Sequence, residues 1–216
     1  MDANISSNLF LNWPLTPYRK NMKSIVILIS GSGSNMAAII KTSQTQNWEK
    51  TLQAKIAAVI SNRPEAKGLA IAKSAGVNTH VVDHKEFSER TEFEAKLREV
   101  IDQYQPDLIV LAGFMRILSG SFTGQYPQKI INIHPSLLPA FTGLHTHERA
   151  LQMGCKFAGA TVHWVIEELD AGSIIDQAMV PVLPNDTADD LAARVLSQEH
   201  IMYPKVIAQI LAAQPT

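Results

Sequence analysis

Apolar runs and amphipathic stretches alternate between residues 24 and 134. Short runs of aliphatic residues are typical of parallel strands buried on both faces, and apolar positions at a 3.6-residue period indicate helices. The predicted strands cover residues 24–30, 55–60, 77–82, 107–112 and 129–134, and the predicted helices cover residues 36–40, 66–75 and 86–104. This alternation predicts an α/β fold with a Rossmann-like, mainly parallel twisted sheet and helices on both of its faces.

The pattern changes after residue 134. Two β-rich runs, 161–166 and 173–182, are joined by a short turn, which predicts an antiparallel hairpin. Asp186 and Thr187 can cap a last helix over residues 188–210, in which Pro204 would cause a kink or a break. We therefore predict one domain over residues 23–216, preceded by an extension, residues 1–22, that we expect to be disordered.

Composition narrows the class of protein. The chain has 216 residues, of which 46% are hydrophobic and 18% are charged, and its formal net charge is −1. This balance excludes a mainly disordered chain and provides no basic field to hold a nucleic acid. No apolar run approaches the roughly 20 residues of a membrane span. Cys155 is the single cysteine, so an intramolecular disulfide is impossible and we expect the reducing cytoplasm.

A glycine-rich loop follows the first predicted strand. Gly31, Gly33, Ser34 and Asn35 lie between that strand and a predicted helix, where free main-chain amides attract an anion. The loop is either a phosphate cradle or a plain tight turn. It lacks the third glycine of a dinucleotide fingerprint, although Arg63 after the second strand could suit the extra phosphate of NADP.

Two polar residues end the fifth predicted strand. Asn132 and His134 share one face of it, and Ile131 and Ile133 share the other. Open α/β sheets bind ligands at the carboxyl ends of their parallel strands. An amide beside an imidazole can stabilise an oxyanion and move a proton. The alternative is that both side chains bond only to the backbone of the next loop.

Asp170, in the hairpin turn, could support that chemistry. If the hairpin folds back over the sheet, its carboxylate would favour a protonated His134 or orient a water, but Asp-Ala-Gly is also ordinary turn sequence. His145, His147 and Cys155 match no strong zinc spacing, so we expect no metal site. We interpret the following as packing or solvated side chains: His80, His84, His163, Glu199 and His200.

A series of short segments, taken in order, points to one enzyme family. The segments are 29–35, 59–62, 111–118, 132–139, 143–147, 159–163, 168–170 and 198–200. Together they resemble the phosphoribosylglycinamide formyltransferases, which are folate-dependent enzymes of purine synthesis. The resemblance covers about residues 23–210 and implies the single-domain formyltransferase fold with a C-terminal hairpin and helix.

The resemblance also implies a reaction. The amine of glycinamide ribonucleotide attacks the formyl carbon of the co-substrate 10-formyltetrahydrofolate, and tetrahydrofolate leaves. It implies that Asn132 and a protonated His134 stabilise the oxyanion, that His134 moves protons, and that Asp170 keeps His134 protonated and positions a water. No metal, nucleic acid or membrane takes part, and we expect a monomer or homodimer.

Substrate contacts are implied in the same way. The resemblance implies a loop over about residues 140–157 that can close on the site. The implied ribonucleotide contacts are Gly33, Ser34, Asn35 and Glu199. The implied folate contacts are Arg90, Met115, Arg116, Ile117, Leu118 and Asn132.

Three positions depart from the family pattern. Leu196 stands where some relatives have a polar residue near the phosphate. Ala140 and Thr142 lie in a loop that often holds proline or lysine. These departures could weaken phosphate binding or change the loop, but they touch none of the three implied catalytic residues.

Four other functions stay open on the sequence. A methionyl-tRNA formyltransferase would have a basic C-terminal domain, and a formyltetrahydrofolate deformylase would have an N-terminal regulatory domain and release the formyl group to water. The glycine loop favours a phosphorylated acceptor over water. An NADP-dependent oxidoreductase would use that loop with Arg63, and a binding module would keep the pocket but leave Asn132 and His134 idle.

Overall fold

The structure, a computed structural model, describes residues 22–214. The predicted extension lies outside this range except for Met22, and so do the last two residues of the predicted domain. The division into an extension and a domain therefore stays a prediction.

Within the described residues, one sheet contains seven strands in the order β3-β2-β1-β4-β5-β6-β7. Strands β1 to β5 are parallel to one another, and β6 pairs antiparallel with both β5 and β7. The predicted α/β class, the parallel sheet and the C-terminal hairpin are confirmed. The strands are β1 (Lys23–Ile29), β2 (Ala54–Ser61), β3 (Asn78–Val81), β4 (Leu108–Leu111), β5 (Ile130–His134), β6 (Phe157–Trp164) and β7 (Ile174–Pro181).

Helices cover both faces of the sheet, as β1 shows. Ile25, Ile27 and Ile29 belong to a core that also contains apolar residues of α1 and α7, whereas Val26 and Leu28 pack in a second core with those of α4. All five side chains are fully buried, which is why this strand is apolar without interruption. The helices are α1 (Ser34–Thr45), α2 (Trp48–Thr51), α3 (Lys67–Ser74), α4 (Arg90–Asp102), α5 (Gly120–Thr123), α6 (Thr146–Gln152) and α7 (Ala188–Ala213), with a 3₁₀ helix at His84–Glu86.

Element boundaries differ from the predictions for local reasons. The helix predicted from residue 86 begins at Arg90, because Glu89 and Glu92 form a capping box there. The prediction missed α2, α5 and α6, whose four to seven residues are too few to show a period. Strand β6 begins four residues before the predicted start at 161.

The last helix begins where the sequence predicts, at Ala188, but it is not broken at Pro204. Thr187 caps α7 by accepting a hydrogen bond from the main-chain N–H of Asp190. The helix continues through Pro204 to Ala213, so the possibility of a break there is wrong. No helix between residues 22 and 214 combines the length and the apolar character that a membrane crossing requires.

Candidate active site

A cavity of about 450 Å³ opens at the carboxyl ends of β4 and β5. The strand order reverses direction between β1 and β4, and open α/β sheets bind ligands beside such a reversal. The cavity is lined by residues 113–118 after β4, by the end of β5, by the loop at 143–147 and by residues 165–170 between β6 and β7. It thus collects the polar end of β5 and the hairpin turn in one place.

His134 is buried at the end of β5, with a hydrogen-bond acceptor facing each of its ring nitrogens. Nδ1 lies 3.4 Å from Oδ2 of Asp170, and Nε2 lies 2.9 Å from the carbonyl oxygen of Phe141. A neutral imidazole has one N–H and can donate to one of them, whereas an imidazolium can donate to both. The surroundings of His134 can therefore accommodate the protonated ring.

Asp170 reaches His134 because the connection between β6 and β7 folds back over the end of β5. Its φ of 54° lies in the left-handed region, which aspartate tolerates better than most residues. Its Oδ2 also accepts a 2.9 Å hydrogen bond from the main-chain N–H of Gly143. From the sequence, a role for Asp170 required the hairpin to fold back over the sheet, and the structure shows that it does.

His163 is a member of this cluster that sequence reasoning missed. From sequence we interpret it as a packing residue, but its Nε2 lies 3.2 Å from Nδ2 of Asn132 and 3.8 Å from Oδ1 of Asp170. Burial lowers the pKa of His163. The missing signal was strand register, because β6 pairs with β5 so that His163 stands opposite Asn132.

The glycine loop after β1 is folded tightly against α3. Gly33 has a φ of 72° and directly precedes α1, whose first turn has no side-chain cap. A Cβ on Gly33 would lie 2.8 Å from Cα of Gly68, and the main-chain N–H of Gly68 donates to the carbonyl oxygen of Gly31 at 3.0 Å. Ser34 begins α1, so the loop presents uncapped amides at a helix N-terminus, which suits an anion.

Asn35 and Glu199 are far apart in the sequence and bonded in the structure. Nδ2 of Asn35 donates to Oε2 of Glu199 at 2.6 Å, which joins the first turn of α1 to the middle of α7. Burial raises the pKa of Glu199, and the hydrogen bond from Asn35 and the charge of His134 partly offset that rise. Oδ1 of Asn35 is buried and has no hydrogen-bond partner among residues 22–214, so an acceptor remains open beside the glycine loop.

The interpretation of Glu199 and His200 as solvated side chains is corrected by the structure. Glu199 is 6% exposed, and Nε2 of His200 is enclosed. One turn after Glu199, the hydroxyl of Tyr203 contacts the carbonyl oxygens of Leu111 and Ile131 at 2.9 Å and 3.2 Å. Tyr203 therefore fixes this part of α7 against the ends of β4 and β5.

The four candidate folate residues after β4 form one wall of the cavity. Met115 and Ile117 are 62% and 57% exposed, whereas Leu118 is buried and Arg116 is exposed. The main-chain N–H of Met115 donates to Oγ of Ser30 at 2.8 Å, which ties this wall to the end of β1. Large exposed apolar side chains beside a concave site suit a ligand with a flat apolar surface.

Arg90 lies farther from the cavity than the other candidates. The described residues that line the cavity do not include it. Its Nε donates to Oε1 of Glu94 at 3.0 Å, and the same oxygen accepts from the main-chain N–H of Ser119 at 2.7 Å. Arg90 is thus connected to the wall at Leu118 through Glu94.

The remaining polar candidates are scattered. His145 pairs with Glu148 on the exposed side of the loop, with 3.3 Å between Nδ1 and Oε2. His147 lines the cavity, and burial and the charge of His134 lower its pKa. Between residues 22 and 214, no group of three or more histidine, cysteine, aspartate or glutamate side chains is placed to hold a metal ion.

Comparison with known proteins gives consistent matches over most of the chain. The chain is 48% identical to phosphoribosylglycinamide formyltransferase of Escherichia coli strain K12 over 185 residues, which are 86% of this chain and 85% of that protein. It is 41% identical over 212 residues to the human trifunctional purine biosynthetic protein adenosine-3, and this match covers 97% of the chain but 20% of the human protein.

Solved structures and family descriptions agree with those relatives. The phosphoribosylglycinamide formyltransferase structure of Coxiella burnetii superposes with a TM-score of 0.82 at 50% identity, over 88% of this chain and 87% of that one. Residues 23–207 match the family described as formyl transferase. The chain therefore belongs to the formyl transferase family.

Proposed function

We propose that this chain transfers the formyl group of 10-formyltetrahydrofolate to the amine of glycinamide ribonucleotide, in purine (IMP) synthesis. The observation that carries the proposal is the contact between His134 and Asp170 beside Asn132, in the cavity at the end of β5. The relatives named for this reaction, similar over most of the chain, support the choice of substrates. The products are formylglycinamide ribonucleotide and tetrahydrofolate.

In the proposed mechanism, the amine attacks the formyl carbon and the formyl oxygen becomes an oxyanion. The amide N–H of Asn132 and an N–H of His134 stabilise that charge as fixed donors. The formyl oxygen replaces the carbonyl of Phe141 as the acceptor for Nε2 of His134. His134 then gives a proton to the folate nitrogen as the C–N bond breaks and the oxyanion returns to a formyl C=O. The neutral ring takes up the proton that the former amine loses, and Asp170 stabilises the charged form of the ring before and after the transfer.

The proposed binding regions lie on either side of these groups. The phosphate of the ribonucleotide lies at the amides of Gly33, Ser34 and Asn35, and its ribose hydroxyls contact Glu199. The bond between Asn35 and Glu199 supports a shared region for both parts of the ribonucleotide. The folate ring lies against the wall that contains residues 115–118. Arg90, which is joined to that wall through Glu94, lies near the folate.

The proposed setting is the reducing cytoplasm, and the reaction as written needs no metal. The thiol of Cys155, the single cysteine of the chain, supports a reducing compartment. A monomer or homodimer stays a prediction.

A transfer assay tests the proposal. Purified protein receives the stable donor 10-formyl-5,8-dideazafolate, with and without glycinamide ribonucleotide, and release of the deformylated product is followed by absorbance. We expect turnover only when the ribonucleotide is present, and none with His134→Ala prepared in the same way. Turnover without the ribonucleotide would favour a deformylase, and absence of turnover in both conditions would favour the binding module or the NADP-dependent oxidoreductase.

A further inference from the structure

His163 is 2% exposed and takes no direct part in the proposed proton transfer. Its two ring nitrogens face different kinds of partner. Nδ1 lies 2.9 Å from the carbonyl oxygen of Trp164. Nε2 lies 3.2 Å from Nδ2 of Asn132, and Oδ1 of Asp170 lies 3.8 Å from the same nitrogen, which is too far for a hydrogen bond. A carbonyl oxygen can only accept a hydrogen bond, so Nδ1 carries a hydrogen.

The second nitrogen is then an acceptor. Burial lowers the pKa of His163, with the charge of His134 acting in the same direction and Asp170 and the Trp164 carbonyl opposing it. The neutral ring has its one hydrogen on Nδ1 and a lone pair on Nε2. That lone pair accepts one of the two hydrogens on the amide nitrogen of Asn132.

This contact distinguishes the two orientations of the Asn132 amide. If the amide were rotated by half a turn, its Oδ1 would face the lone pair of Nε2, and two acceptors would be in contact. The oxygen and the nitrogen of an asparagine amide have nearly the same shape, so hydrogen bonds decide which of the two orientations is adopted. His163 therefore selects the orientation in which the nitrogen of Asn132 stays on the β6 side with a second hydrogen available.

We propose that His163 is a positioning residue for formyl transfer, which fixes the amide of Asn132 so that its nitrogen donates to the oxyanion. The inference rests on the proposed function, because Asn132 is the oxyanion donor only in that reaction. The ring of His163 acts through Asn132 and does not itself contact the reacting atoms.

Two substitutions separate this role from packing. His163→Phe keeps an aromatic ring on β6 but removes the acceptor, whereas His163→Gln provides an amide oxygen that can accept from Asn132. We expect His163→Phe to lower kcat by about tenfold to a hundredfold, since one lost oxyanion donor costs up to about a thousandfold. We expect KM for both substrates to change less than about twofold, because the interaction acts in the transition state. His163→Gln should recover most of the lost kcat.

His80→Phe is the matched control, because His80 is also a strand histidine whose Nε2 has a side-chain partner, the hydroxyl of Tyr104. We expect it to leave kcat unchanged. An unchanged kcat in His163→Phe, or a Gln variant no better than the Phe variant, would overturn the positioning role.

A spectroscopic measurement on the unsubstituted protein covers the case in which a variant does not fold. Nitrogen-15 NMR of the histidine rings distinguishes an Nδ1–H tautomer from an Nε2–H tautomer and from a charged ring. We expect His163 to be the Nδ1–H tautomer at neutral pH, and either other state would overturn the proposal. If that tautomer is found but the protein has no transferase activity, the proposed reaction fails while the geometry of His163 stands.

Discussion

The two ends of the proposed site differ in how well the protein satisfies its own polar groups. At the reacting end, His134, Asp170 and His163 each have contacts on both of their polar atoms within the protein. At the ribonucleotide end, Asn35 and Glu199 share one hydrogen bond, and Oδ1 of Asn35 is buried without a partner among residues 22–214.

This difference separates positioning from binding. A group held on both sides before substrate arrives needs little reorganisation in the transition state, which is how fixed donors accelerate a reaction. A buried acceptor without a partner destabilises the free protein until a ligand supplies a donor. We therefore expect substitutions at the reacting end to slow the chemical step, and substitutions at the ribonucleotide end to weaken binding.

The largest expected effect is at Asp170. Asp170→Asn replaces the carboxylate beside Nδ1 of His134 with a neutral amide, which stabilises the charged ring much less. We expect kcat to fall by at least about a hundredfold, with KM changed only a few-fold, in steady-state kinetics at saturating substrates. Turnover close to that of the unsubstituted enzyme would remove Asp170 from the mechanism.

Asn35→Ala should affect affinity instead. It removes both the donor to Glu199 and the open acceptor, so we expect the Kd of glycinamide ribonucleotide to rise about tenfold or more, which corresponds to about 1.4 kcal/mol. Binding of a folate analogue should be unchanged, and kcat should be retained once the ribonucleotide is saturating. Titration calorimetry with each ligand separately measures both affinities, and an unchanged ribonucleotide Kd would contradict the assignment.

Gly68→Ala tests the close packing of α3 against the glycine loop. The new Cβ would lie 2.6 Å from Cδ1 of Ile29 and 3.1 Å from Cα of Gly33, so the loop or the helix must shift. We expect a loss of about 1–3 kcal/mol in the free energy of unfolding, together with weaker ribonucleotide binding.

The matched control for this prediction is Gly31→Ala. A Cβ at that position has no heavy atom within 4 Å. In urea denaturation, Gly31→Ala should leave stability nearly unchanged, and an equal loss in both variants would show that the contact with Gly33 is not responsible.

The smallest expected effect is a change in the pH dependence of stability at Glu199. Burial raises the pKa of Glu199 above its ordinary value of 4.5, so the folded state holds the proton more tightly than the unfolded chain does. The free energy of unfolding should therefore fall as the pH rises from the ordinary value to the raised one. Glu199→Gln cannot ionise, so its stability should fall less over that window in denaturation curves. A variant with an unchanged pH slope would contradict the buried, proton-retaining glutamate.

The sheet was predictable from the sequence because its signals are local. β1 is apolar without interruption from Ile25 to Ile29, and the alternation along β5 placed Asn132 and His134 on one face. Short helices such as α5 and α6 left no such signal, because four and seven residues make about one and two helical turns, and a period is recognised only when it repeats several times.

The contacts of the site were less predictable because they depend on how distant segments meet. Asn35 and Glu199 are 164 residues apart in the chain, and no local pattern distinguishes a buried glutamate on α7 from a solvated one. The position of His163 beside Asn132 depended on the register between β5 and β6. A shift of one residue in that register would have turned the His163 side chain to the other face of the sheet. Resemblance to a family indicated Glu199 but not the position of His163 beside Asn132.

The division between positioning and binding is tested most directly by single-turnover formyl transfer with enzyme in excess over the folate donor. The rate of the chemical step is measured for the unsubstituted protein, His134→Ala and Asn35→Ala over a range of ribonucleotide concentrations. The account predicts a slow step at every concentration for His134→Ala, and recovery to the unsubstituted rate at high ribonucleotide for Asn35→Ala. A slow step that persists at saturation in Asn35→Ala, or a normal step in His134→Ala, would contradict it.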